Sequence, residues 1–314
     1  MDNEVISLIE LPGLLPAGAA LTKLATGATW SEGPVYLPQR NSVRWSDIPG
    51  NRILEYSIDD RELSVYRDGV EFTNGRTLDR DGSTVQCSHG RRAIERDVDG
   101  VVTVLVDRYR GARLNSPNDV IIDDDGSIWF TDPPYGITVA AEGHPGDAEY
   151  RDHFVFRFDP VTGDLHPVVT DVEEPNGLAF SPDRSTLYVS DTSVLSEPWW
   201  GKGNHHIRAY DVVGNRCKNG RTFVTIDEGV SDGFRVDTEG RVWTSTLTGV
   251  RIYSPEGDEV GRFPVPEKVG NLCFGGPDGT DLFIAATTSL YTVPTLTRSA
   301  ADWSVRPTRE VVHS

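Results

Sequence analysis

Six polar residues recur in one phase along this chain and are placed to do chemistry together: Glu32, Asn74, Asn118, Asn176, Asp232 and Asn271. Each opens a short apolar run, and successive openers lie 42, 44, 58, 56 and 39 residues apart, the period of propeller blades. Seven residues after five of them stands an acid in a turn (Asp81, Asp125, Asp183, Glu239 and Asp278); Gln39 holds that place after Glu32. In a closed ring of blades, residues of equal phase meet around one axis. Side chains crowded at such a channel mouth must satisfy one another, hold water or bind a cation. Two carboxylates and several amide oxygens are hard donors, better suited to calcium, magnesium or manganese than to zinc or copper. The competing reading is local: Asn74-Gly75, Asn176-Gly177 and Asp232-Gly233 are also ordinary turn pairs entering a strand.

A second set follows from hairpin geometry. Fourteen or fifteen residues after an opener, the returning strand reaches the same face of the disc, at Asp47, His89, Asp132 and Asp191. Histidine transfers protons near neutral pH, so His89 is a candidate for catalysis or substrate contact. Asp191 is a weaker candidate for substrate contact, while Asp47 and Asp132 read as loop-anchoring acids. His205-His206 resembles a metal pair but points to opposite faces of a strand. Asp123-Asp124-Asp125-Gly126 lacks the ligand spacing of a calcium loop and reads as a turn.

The elements that must position these residues are short strands. Runs such as VRWSD, DVIID, SIWFTD, LYVSD, RVWTST and DLFIAAT are separated by DRDG, DDDG, SPDR, DTEG and GPDG, acidic and glycine-rich hairpin links. Helical periodicity of useful length is absent. Three units repeat the order opener, strand, turn, strand, outer strand, which predicts an all-β, six-bladed propeller over residues 1–314 as one domain. The last unit is short of a strand, and the segment near Leu21 to Thr26 is expected to complete it. Insertions near 133–152 and 192–204 leave from the face that carries the polar ring, where loops shape a substrate mouth.

The chain carries 48 acidic against 30 basic residues, a net charge of −18, which argues against nucleic-acid and anionic-membrane partners. Three scattered cysteines, Cys87, Cys217 and Cys273, fit no zinc motif and suggest a reducing compartment. No leader and no spanning run is evident. The expected setting is cytoplasmic.

The stretches SEGPVY at 31–36, TNGRTLDRDG at 73–82, CSHGRRAIER at 87–96, RLNSPNDVIIDDDGSIWFTDPPYG at 113–136, PNGLAFSPD at 175–183 and SDGFRVDTEGRVW at 231–243 resemble the family of senescence marker protein (regucalcin), gluconolactonase and luciferin-regenerating enzyme. The resemblance runs from about Trp30 to Thr292, and the 113–136 stretch is most like the bacterial gluconolactonase branch. It implies a six-bladed propeller with a central divalent cation, usually calcium, in some members zinc, manganese, magnesium or iron. Glu32, Asn176 and Asp232 then correspond to the protein ligands. Asn118 resembles a fourth inner-ring asparagine that binds the metal or contacts substrate in related propellers, and Arg113 resembles a substrate-binding arginine, although the link from Arg113 to Asn118 is longer than in regucalcin.

The chemistry so implied is metal-assisted opening of a sugar lactone to its acid. Asp232 is the first candidate for the base and His89 the second; Asn74, Asn118, Arg113 and Asp191 are expected to contact the lactone, with Trp199 or Trp200 as a roof. No elbow or triad spacing supports covalent catalysis. Rival readings are a hydrolase of non-sugar lactones, esters or organophosphates on the same site, and a non-enzymatic calcium-binding or interaction propeller. The interaction propeller's Trp-Asp signature does not occur in the chain.

Overall fold

A computed structural model describes residues 4–196 and 200–301. The β-prone runs form six antiparallel sheets arranged as blades around one axis. Their innermost strands are Ser31–Leu37, Thr73–Leu78, Val120–Ile122, Pro175–Phe180, Phe234–Val236 and Val269–Gly275 (blades I to VI). Each contacts the next, and the last contacts the first. Within a blade the chain steps outward by hairpins. In blade IV, Pro175–Phe180 pairs with Thr186–Asp191, then His206–Val213, then Arg216–Thr225.

The acids seven residues after the openers work in the first hairpin turns. Asp81, Asp125 and Asp183 each accept a backbone N–H two residues on, at 2.9, 2.8 and 3.0 Å. Such self-bonded turns are what short acidic links favour.

Closure is made by the N-terminal segment. Blade VI takes Val269–Gly275, Asp281–Ala286 and Ser289–Pro294 from the end of the chain. Ala20–Thr26 then pairs antiparallel with Ser289–Pro294, and Val5–Ser7 adds a fifth strand. The Leu21 to Thr26 segment thus fills the place the sequence leaves open.

Strand alternation sends one face of each blade to each neighbour. Five of the six interfaces are apolar. Val85, Cys87, Ile94, Val120 and Phe130 lie between II and III; Trp129, Leu178 and Phe180 between III and IV; Tyr188, Ile207 and Phe234 between IV and V; Trp243, Leu272 and Leu282 between V and VI; Trp45, Leu54 and Phe283 between VI and I. Each such buried side chain contributes about 1.5–3 kcal/mol. The I/II interface is built differently, from Ser42, Arg44, Ser46, Glu55, Arg76, Thr84, Gln86, Glu95 and Asp97, all buried. All three cysteines are free thiols, and no helix among the described residues is long and apolar enough to cross a membrane.

Candidate active site

The openers meet as their common phase requires. Gly75 N–H donates to Asn118 O at 2.8 Å, Gly177 N–H to Asp232 O at 3.1 Å, and Gly233 N–H to Gly270 O at 2.8 Å. Hydroxyls of the second strands hold opener carbonyls from the preceding blade: Ser46 Oγ donates to Asn74 O (2.9 Å), Thr131 Oγ1 to Asn176 O (2.7 Å) and Ser190 Oγ to Asp232 O (3.0 Å). The glycine after the opener is a packing requirement. A Cβ at Gly33, Gly75 or Gly177 would stand 2.4, 2.6 or 2.4 Å from the next opener's carbonyl oxygen. Blade III departs from this pattern with Asp119. Its carboxylate turns into the channel, 3.6 Å from Arg235 and 3.5 Å from the Asn271 amide.

Two acids face each other across the mouth. Glu32 Oε2 accepts Gly33 N–H at 2.9 Å, while Glu32 Oε1 is buried without a hydrogen-bond partner. Burial, and after it the negative charge of Asp232, push the Glu32 carboxyl well above its ordinary range. Burial likewise lifts Asp232 to about 6, against the pull of Lys268 and the Asn176 amide. Asp119 adds negative charge to both. No three His, Cys, Asp or Glu side chains converge among the described residues, so a cation here would draw on amide oxygens as well as on Glu32 and Asp232. Asn176 Nδ2 donates to Thr192 Oγ1 (3.3 Å), and the same amide hydrogen-bonds the Asp232 carboxyl. An orphaned carboxylate oxygen, two carboxyls raised by burial and amide oxygens at one mouth fit a hard divalent cation.

The second set divides in two. Asp47 accepts the N–H groups of Thr29 and Trp30 at 2.8 and 3.2 Å, and Asp191 those of Glu173 and Glu174 at 3.0 and 3.3 Å. Asp132 accepts Asn115 N–H at 2.8 Å and the Tyr150 hydroxyl. Each acid therefore clamps the residues two or three before its own opener. Asp191 also accepts Ser193 N–H and Asn204 Nδ2 (both 3.0 Å) and is fully buried. Its carboxylate is saturated by protein donors, which corrects the expectation of substrate contact.

His89 holds the same phase in blade II and does something else. Its Nδ1 lies 3.0 Å from the carbonyl oxygen of Glu142. A carbonyl only accepts, so Nδ1 carries the proton and Nε2 is left bare. Asn74 Nδ2 donates to that nitrogen at 3.2 Å, which turns Asn74 Oδ1 the other way. The ring is wholly buried, and burial drops its pKa to about 4. The 133–152 insertion packs on it directly: a Cβ at Gly136 would fall 2.5 Å from His89 Cβ.

Arg113 is not brought to the ring. Its Nη2 donates to Arg91 O at 3.1 Å and its N–H to Glu149 at 2.8 Å; the longer link before Asn118 lets it turn onto the blade II hairpin. Trp199 lies outside the described residues, and neighbouring Trp200 is exposed. His205 Nδ1 donates to Ile226 O and is not paired with His206.

Several site residues carry no sequence signal. Glu142 reaches the mouth from the insertion, and burial, together with Asp232, raises it to about 7. Lys268 stands over the Trp30 ring at 4.8 Å and acts on both Asp232 and Glu142. Tyr135 Oη and Thr192 Oγ1 join the two insertions by a hydrogen bond. Lys268 had a faint signal, as the single basic residue two or three before an opener; Glu142 had none.

Comparison with known proteins identifies the relatives of this chain. The profile of the SMP-30/gluconolactonase/LRE-like region matches residues 30–288. Among curated proteins the chain is 32% identical to a gluconolactonase of Zymomonas mobilis, over 91% of this chain and 84% of that one. It is 33% identical to a pentonolactonase of Haloferax volcanii, over 82% of each. Among solved structures, a gluconolactonase of Xanthomonas campestris superposes with a TM-score of 0.85 at 38% identity, covering 94% of this chain and 95% of that one. A luciferin-regenerating enzyme shares the fold at 18% identity, with a TM-score of 0.73 over 90% of this chain and 97% of the other.

Proposed function

The chain belongs to the SMP-30/gluconolactonase/LRE-like family, and we propose that its polar mouth is the active site of a metal-dependent hydrolase that opens sugar lactones to the corresponding acids. The observation that carries this reading is the pair of buried carboxyls, Glu32 and Asp232, with Glu32 Oε1 unpartnered at the channel mouth. Relatives named gluconolactonase and pentonolactonase support the substrate class.

Glu32, Asn118, Asn176 and Asp232 would hold one divalent cation; calcium suits the donor set best, with magnesium, manganese, iron and zinc as lesser fits. When bound, such an ion supplies a Lewis acid for the lactone carbonyl and for the charge that develops as the ring opens. The residues of the chain do the rest. Asp232, poised near neutrality by burial, takes the proton of the attacking water. Asn74 Oδ1 accepts from a ring hydroxyl, and Asn118 adds a second amide at the mouth. His89 acts through Asn74, as the group that fixes which way this amide points, and the Glu142 carbonyl fixes His89. The 133–152 insertion, tied by Tyr135 to Thr192, restricts water at the mouth. The free thiols, of which Cys87 and Cys273 are buried, suit the cytoplasm.

The test is a pH-indicator screen of aldonolactones, simple lactones and aryl esters, using chelator-stripped protein with each cation restored in turn. Sugar lactones turned over only when a cation is present are the expected result. Equal turnover of the stripped protein would overturn the reading.

A further inference from the structure

The 133–152 insertion reaches a second amide of the ring besides Asn74. The turn at its start is pinned to blade III: Ser116 Oγ donates to Pro133 O at 2.6 Å and accepts Gly136 N–H at 2.9 Å. Tyr135 opens the short helix Tyr135–Thr138, and its hydroxyl meets Thr192 Oγ1 of blade IV. Thr192 Oγ1 in turn accepts from the Asn176 amide at 3.3 Å. Thr192 directly follows Asp191; the residues in the same place of the first three blades are Ile48, Gly90 and Pro133. Of the four, only threonine carries a hydroxyl, and it stands beside the opener of its own blade.

The direction of this chain of hydrogen bonds follows from counting hydrogens. Asn176 Nδ2 has two, and the amide's partners are Thr192 Oγ1 and the Asp232 carboxyl. Because Thr192 Oγ1 accepts, its own hydrogen is free for Tyr135 Oη. The Tyr135 hydrogen then goes to the Glu174 carboxyl, which Ser196 also bonds. A carboxyl group offers an acceptor oxygen in either protonation state, so Glu174 ends the chain. Its backbone fixes the middle as well, with Glu174 O accepting Thr192 N–H at 3.2 Å. Glu174, Thr192 and Asn176 are all buried, where a hydroxyl turned the other way would strand a donor at a cost of about 1–3 kcal/mol. With both amide hydrogens used, Asn176 Oδ1 is the end left without a protein donor among the described residues.

We propose that Tyr135 and Thr192 are positioning residues of the cation site: anchored on Glu174, their paired hydroxyls fix the Asn176 amide so that Oδ1 is the end offered to the cation. This role rests on the reading of the polar mouth as a cation site. It gives the insertion one task at two amides, since Glu142 O sets Asn74 through His89 and Tyr135 sets Asn176 through Thr192.

Calcium is the probe, titrated calorimetrically into the chelator-stripped full chain. Tyr135→Phe keeps the ring and loses the hydroxyl; it should weaken calcium binding about 10-fold, the lower end for groups that orient metal ligands. Thr192→Val should weaken it at least as much, while Thr192→Ser, which keeps a hydroxyl, should stay within about two-fold of the parent. Tyr135→Phe combined with Thr192→Val should lose no more than Thr192→Val alone. In the metal-free protein the Asn176 side-chain amide protons should change resonance in Tyr135→Phe, and those of Asn74 should not. The contrast between Thr192→Val and Thr192→Ser decides the matter if Tyr135→Phe does not fold. A parent that takes up no calcium overturns the cation reading and this role with it. A parent that binds calcium overturns the role of the two hydroxyls alone if Tyr135→Phe binds it equally well, if the two losses simply add, or if the Asn176 protons are indifferent to Tyr135.

Discussion

The two mouths of one channel are opposite in chemistry although the same six strands build both. At the polar mouth the openers present carboxylates and amide oxygens, and Lys268, which acts on Asp232, is set to one side over Trp30. At the far mouth the lining is rich in guanidiniums, and of its acids Asp79 pairs with Arg96 and Asp97 holds the turn at Gly100. The strands run between these ends, so one inner strand contributes to both: Asn74 faces the first and Arg76, two residues on, lines the second. In a propeller the strands hold the ring, which leaves the ends free to differ. Changes at the polar mouth should then act on turnover, and changes at the far end on stability.

The largest effect expected is at Asp232. Asp232→Ala should lower lactone turnover by roughly 10²–10⁴-fold, the scale of a lost general base, with far-ultraviolet circular dichroism unchanged. Turnover within 10-fold of the parent would remove Asp232 from the chemistry and leave the two mouths functionally alike.

Next comes the relay behind Asn74. His89→Gln should lower kcat about 10–100-fold, the range for groups that orient others at metal sites, with metal content retained. If His89 only positions Asn74, the rate's pH profile keeps its shape, and Asn74→Ala combined with His89→Gln loses no more than Asn74→Ala alone. Full additivity in that cycle, or loss of one limb of the pH profile, would make His89 a proton-transfer group instead.

How far the sequence carried this comparison depends on phase. Residues related by the repeat were legible, because equal spacing places them at equal depth. The ring from Glu32 to Asn271, the clamping acids Asp47 and Asp132 and the closing strand at Ala20–Thr26 all follow from counting. What departs from the repeat was not legible. His89 occupies an acid's place, but its partner is a backbone carbonyl in an insertion, and nothing in the spacing names Glu142. Asp191 has the type and phase of a substrate contact, but its four donors come from two separate loops. The polar seam between blades I and II is not legible either, since Arg44 and Arg76 share no phase in the repeat.

A stability measurement sharpens the contrast from the polar side. Burial raises Asp232 from 3.8 to about 6, so its ionisation is disfavoured in the folded, metal-free protein. For an acid so raised, the unfolded chain loses its proton first, and metal-free stability falls as pH rises from about 3.8 to 6 and stays low above it. Asp232→Asn should therefore raise the metal-free Tm at pH 7 by a few degrees while abolishing the rise in Tm that the parent shows on adding calcium. A lower metal-free Tm for this variant would mean that the carboxylate is held by partners and not strained.

The smallest effect on turnover is expected at the far end of the I/II seam, at Glu55. This carboxylate accepts Arg44 Nε and Nη2 at 3.0 and 2.7 Å, Ser42 Oγ at 2.8 Å and Arg40 Nε at 3.0 Å. Burial alone would raise it, but Arg44 and its companions prevail and hold it below the ordinary glutamate value of 4.5. An acid so lowered gives stability that is fully present above about pH 4.5 and is lost as pH falls through the folded value. Glu55→Gln removes that contribution and leaves the Arg44 charge buried, although the amide still hydrogen-bonds. The expected cost at pH 7 is about 1–3 kcal/mol, read by urea unfolding, with a shallower loss of stability below pH 4.5 than the parent shows. Turnover per folded molecule should stay within about two-fold, because Glu55 touches nothing at the polar mouth. A loss of rate larger than 10-fold at full folding would show that the seam transmits to the ring through Arg76, whose Nη1 bonds the carbonyl next to Glu32, and the separation of the two mouths would fail at that contact.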